Sequence, residues 1–121
     1  MQLNINPKTQ QTSFQALYMP PKKELTAKLG EYVAEQAEKA RPELEKISGD
    51  LQMYIKPIAN KNVENQGFDI EVNNLICQYC IGFGTSKVRL NETNEKNPLP
   101  KLLISKAKEA YTDCKENSLV V

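Results

Sequence analysis

Apolar residues recur every three or four positions from Leu25 to Ile47 and again from Leu99 to Cys114, and between these runs the period falls to two. A period near 3.6 lines one face of a helix and a period of two lines one face of a strand. Helices therefore bracket a block of strands along the chain. The first run comprises Leu25, Leu29, Val33, Ala37, Ala40, Leu44 and Ile47, with Tyr32 beside them. Pro20 and Pro21 stand ahead of it, where proline suits a helix start, and Gly49 supplies the stop. Pro42 falls inside the run. Its ring would clash with the carbonyl four residues earlier, so a kink or short break is expected near Lys39 to Arg41. On the polar side Glu24 with Lys28 and Glu35 with Lys39 stand in the favourable order for helical ion pairs.

In the central block Leu51, Met53 and Ile55 alternate with polar neighbours, and Pro57 confines that strand to an edge or a strand end. Phe68, Ile70 and Val72 alternate next, followed by Leu75, Cys77, Tyr79, Ile81 and Phe83. With Asn73 and Asn74 as a two-residue turn, Val72 faces Leu75, Ile70 faces Cys77 and Phe68 faces Tyr79. Gly82-Phe83-Gly84 reads as a bulge or turn, with another short strand around Lys87 to Leu90. Pro98 and Pro100 introduce the second helix, whose stripe is Leu99, Leu103, Ala107, Ala110, Tyr111 and Cys114. The expected fold is α+β in two layers: an antiparallel sheet of three or four strands, with the long Pro42-kinked helix and the C-terminal helix on one face. Residues 1–121 are expected to form a single domain, with 1–20 extended or partly disordered and 21–117 an α-β-β-β-α core.

The chain has no histidine among its 121 residues. That removes the commonest general base, the commonest metal ligand and every Ser-His or Cys-His nucleophile pair. No catalytic residues, metal ligands or cofactor are assigned. Its three cysteines are an odd number, which precludes complete pairing within the chain and favours a reducing, cytoplasmic setting. Cys77 and Cys80 invite a metal or redox reading. On an extended strand, however, residues three apart point to opposite faces, so their sulfurs diverge. They are read as structural thiols, and a thiol redox or metal role for Cys77 and Cys80 stands as an alternative. No stretch approaches the roughly 20 apolar residues that a membrane span requires. The opening also lacks a basic then apolar leader.

Sixteen basic and fifteen acidic residues leave a net charge of +1, with the signs interspersed. Such a chain lacks the basic stripe through which phosphate neutralisation gives affinity. The leading expectation is a non-catalytic module that binds a protein partner through an exposed sheet face or edge. Tyr54 and Ile76, on the face opposite the helices, are the candidate contacts. An RNA- or ribosome-associated role is the alternative, using Lys87, Arg89, Lys101, Lys106 and Lys108.

The order helix, three strands, helix is similar to that of double-stranded-RNA-binding domains, and Gly82-Phe83-Gly84-Thr85-Ser86-Lys87 resembles their glycine-rich turn before the second helix. Here Val88 to Asn97 intervenes before any helix. With an extended segment such as MQLNI in front, the order is similar to that of ribosome hibernation factors. That resemblance implies a ribosome-facing basic surface.

Structural cysteines make a direct prediction. In the native protein the thiols stay unreactive to a neutral-pH labelling reagent until denaturant is added, and no zinc co-purifies. Fast labelling at neutral pH moves the assignment to a thiol or metal site.

Overall fold

The computed structural model describes residues 16–49, 51–74, 80–117 and 119–120, with 80–81 and 119–120 described by their backbone. Its elements are β1 (Leu17–Tyr18), α1 (Lys22–Leu29), α2 (Glu31–Ser48), β2 (Gln52–Ile58), β3 (Gly67–Asn73), β4 (Cys80–Ile81), β5 (Phe83–Arg89), α3 (Leu99–Glu116) and β6 (Leu119–Val120). The fold is α+β, with a four-stranded sheet in the order β1-β2-β3-β5 and a separate two-stranded pairing of β4 with β6.

The long N-terminal apolar run folds as two helices, and the interruption falls at Gly30 rather than near Pro42. Gly30 has φ +97°, a left-handed conformation that costs a residue with a Cβ about 1–2 kcal/mol. Its N–H donates to the Thr26 carbonyl at 2.9 Å and its own carbonyl accepts from the Ala34 N–H at 3.0 Å. One residue thus closes α1 and opens α2. The second helix runs unbroken from Glu31 to Ser48 with Pro42 on its exposed side. There the missing N–H removes one intrahelical bond, while Ala40 and Leu44 on either side are held fully buried in the core.

Three strands pair antiparallel: β2 against β3, and β3 against β5. The sheet is mixed because β1 adds in parallel to β2, Leu17 opposite Met53 and Tyr18 opposite Tyr54. The Met53 N–H reaches the Ala16 carbonyl at 2.8 Å, which turns the main-chain groups of Met53, Ile55 and Pro57 toward β1. Since β1 stops at Tyr18, the proline lies beyond its reach and removes no ladder bond.

The tight turn at Asn73-Asn74 is not formed. Phe68, Ile70 and Val72 lie opposite Val88, Ser86 and Gly84 of β5, not opposite Tyr79, Cys77 and Leu75. With β2 on its other side, β3 has both edges filled. Just beyond the Asn73–Phe83 pair the Asn74 N–H donates to the Gly82 carbonyl at 3.1 Å. Leu75 to Tyr79 lie outside the described residues. Near the C-terminus, Leu119 and Val120 of β6 pair antiparallel with Ile81 and Cys80 of β4.

One cluster forms the core. Met53, Ile55, Phe68, Ile70, Val72 and Val88 project from one sheet face onto Leu25, Leu44, Leu103, Ala107, Ala110 and Cys114 of the helices. The helical stripes read from the sequence pack on the core, Leu29, Val33, Ile47 and Tyr111 at its margin, but Tyr32, set beside the first stripe, is 74% exposed. Gly84 sets the depth of the contact: a Cβ there would stand 2.0 Å from the Ala110 carbonyl oxygen and 2.7 Å from the Cys114 nitrogen. Only a residue without a side chain lets α3 lie this close to β5.

Gly84→Ala therefore forces the helix off the strand and is expected to cost more than about 2 kcal/mol in chemical denaturation. At Gly30, where an added Cβ meets nothing within 4 Å, alanine costs only the left-handed strain, about 1–2 kcal/mol. A Gly84→Ala protein as stable as Gly30→Ala would show that α3 has room to move.

Candidate interaction surface

The helices occupy one face of the sheet, and the alternation that sends Met53, Ile70 and Val88 toward them sends their neighbours outward. The registers arrange the outward residues in rows across the strands. Tyr18, Tyr54, Glu71 and Thr85 make one row, Lys56, Asp69 and Lys87 the next, and Gln52, Asn73 and Phe83 flank the first. The structure thus brings Tyr54, Lys87 and Arg89 onto one face. Ile76 lies outside the described residues, as does Cys77, and the side chain of Cys80 is likewise not described.

Tyr18 and Tyr54 stack with ring centroids 4.7 Å apart and planes 12° from parallel. Parallel pairing of β1 with β2 puts them side by side. Lys56 extends its ammonium over Tyr54, 5.8 Å from the centroid, and the Tyr54 hydroxyl donates to Gln52 Oε1 at 3.3 Å. A groove of about 440 Å³ runs along the pair where β1 ends, bounded by Met19, Pro20, Lys56 and Pro57.

Most charge on this face is already paired. Lys56 Nζ lies 3.0 Å from Glu71 Oε1, and Arg89 Nη2 lies 3.0 Å from Asp69 Oδ1. Arg89 also donates from Nη1 to the Phe68 carbonyl at 3.2 Å, while its backbone N–H donates to Glu92 Oε1 at 2.8 Å. With its side chain only 21% exposed, it braces the end of β5 more than it faces solvent. Lys87 is exposed and, among the described residues, makes no ion pair. Asp69 and Glu71 are the partners of Arg89 and Lys56. Phe83, at the end of β5, is 51% exposed.

Tyr54, Lys87 and Arg89, the contacts expected from sequence, share this face with Tyr18, Lys56 and Phe83, which periodicity alone does not single out. Tyr18 and Lys56 join it only through pairings between distant segments.

Cys114 is fully buried on α3 among core residues. Among the described residues no three acidic, cysteine or histidine side chains come together as a metal site. Nor is any described helix long and apolar enough to cross a membrane. Compared with protein-family models, with curated proteins and with solved structures, the chain matches none.

The two basic residues on β5 are expected to behave differently. Arg89→Ala removes the ion partner of Asp69 and the second donor to the Phe68 carbonyl, which keeps its ladder partner Val88, and should lower stability by about 1 kcal/mol in urea denaturation. Lys87→Ala should stay within about 0.5 kcal/mol of the parent. Equal effects would contradict the bracing role.

Proposed function

We propose that the chain is a non-catalytic binding module that docks a protein partner on the outer face of its sheet. The reading is carried by the stacked tyrosines and the exposed Phe83 on a face whose charges are largely satisfied from within. Aromatic residues with polar tips dominate the energetics of protein interfaces because they bury large area at low entropic cost. The absence of histidine fits the same reading.

The nucleic-acid alternative is weaker on two counts. Base stacking needs aromatic faces open to the ligand, and here Tyr18 and Tyr54 turn faces to each other while Lys56 sits over Tyr54. Phosphate binding needs unpaired cations, and Lys56 and Arg89 are paired with acids on the same face.

The test is recovery of a bound protein from native extract with nuclease present, followed by affinity measurements across salt. Tyr54→Ala or Phe83→Ala should weaken binding by about tenfold or more. Affinity should change little between low and physiological salt. A fall of several orders of magnitude over that range, or loss of the complex on nuclease treatment, would replace the protein-partner reading with the nucleic-acid one.

A further inference from the structure

We infer that the outer edge of β5 is a strand-addition site for an extended peptide segment carrying an acidic residue four positions before an apolar one. This inference rests on the protein-partner reading above and names how, and to what chemistry, the partner binds.

The edge is open. Asn74 N–H donates to Gly82, and Leu90 N–H donates to the Gln66 carbonyl at 2.9 Å. These bonds fix the even-numbered residues of β5 as those facing β3. Alternation then turns the main-chain groups of Phe83, Thr85, Lys87 and Arg89 away from the sheet. The Arg89 N–H is taken by Glu92. Among the described residues no hydrogen bond reaches the outward N–H and carbonyl groups of Phe83, Thr85 or Lys87. All three residues are exposed. Three donors and three acceptors at two-residue spacing form the template to which an added strand pairs.

At the other end of the sheet the described edge strand, β1, is two residues long, too short to present donors and acceptors at repeated two-residue spacing.

The side chains state what the added strand should carry. Lys87 has no ion pair on its own face, so an acidic residue opposite it completes the pattern that Lys56 with Glu71 and Arg89 with Asp69 already follow. Opposite Phe83, an apolar or aromatic side chain covers the exposed ring. An antiparallel strand meets Lys87 first and Phe83 four residues later, which fixes the order and the spacing.

A second copy of the chain fits less well. Pairing two β5 strands about Thr85 would set Phe83 against Lys87, which is acceptable. However, α3 lies in backbone contact with β5 at Gly84, and the copy would bring its own α3 alongside. Strands pair at about 4.8 Å, whereas helices need about 8–10 Å between axes. A peptide brings no helix.

The test is selection of displayed random peptides of about ten residues on the immobilised chain. Enriched peptides should carry an acidic residue four positions before an apolar one and should slow hydrogen exchange at the Phe83, Thr85 and Lys87 amides. Thr85→Pro, which removes an outward N–H without touching the ladder to β3, should weaken them by about tenfold while circular dichroism stays native. Lys87→Glu should switch the enriched residue from acidic to basic. Failure to enrich any peptide, or enriched peptides that bind Thr85→Pro as well as the parent, overturns the inference. So does protection of the three amides in the free protein, whether in a dimer or by the chain's own residues. Where Thr85→Pro leaves peptide binding intact and Tyr54→Ala abolishes it, the edge site is gone but the partner-binding face survives.

Discussion

Helix α3 lies backbone to backbone on β5 at Gly84, and the rest of the arrangement follows from that contact. The helix meets the strand through Ala107, Ala110 and Cys114, side chains small enough to keep the approach short. Its larger residues, Leu99 and Leu103, belong to the same core cluster as Phe68 and Val72 of β3. With α3 fixed over the last strand, α2 packs beside it and α1 closes the layer over β2. All the helical mass is thereby committed to one side of the sheet. On the other side the described elements contribute only the outward side chains of the strands.

What those side chains do is mainly to satisfy one another. Half-exposed ion pairs such as Lys56 with Glu71 contribute little to stability, with a typical range of about 0–1 kcal/mol. Their effect is on recognition. They leave a face of low net potential with an aromatic pair near one edge and a single unmatched ammonium near the other. A surface of this kind discriminates by shape and by a few directed contacts, not by long-range attraction.

The helices were legible because periodicity is local: the stripes at Leu25 to Ile47 and Leu99 to Cys114 pack on the core. The strand at Leu51 to Ile55 was equally plain. The errors came where a residue's meaning depended on a distant segment. Gly82 and Gly84 looked like chain breakers, yet Gly84 is in mid-strand because a helix some 26 residues later needs its missing side chain. Misreading that glycine gave Val72 the wrong partner. Pro42 and Gly30 show the same asymmetry. Proline announced a break that core packing on both sides overrode, while an inconspicuous glycine supplied the real one. On the outer face, Tyr54 was visible by alternation, but its stack on Tyr18 required knowing that β1 returns in parallel.

That parallel strand is anchored by its buried Leu17 and by contacts from the helix layer. Two residues pair it to β2, and beyond them the guanidinium of Arg41, oriented by Glu38, accepts no ladder role but grips the carbonyls of Met19 and Pro20 from α2. Detaching β1 requires breaking this clamp and a short parallel ladder while leaving the β2-β3-β5 core paired. The tyrosine stack of the outer face is thus held in place from the helix layer on the opposite side of the sheet, through a single guanidinium.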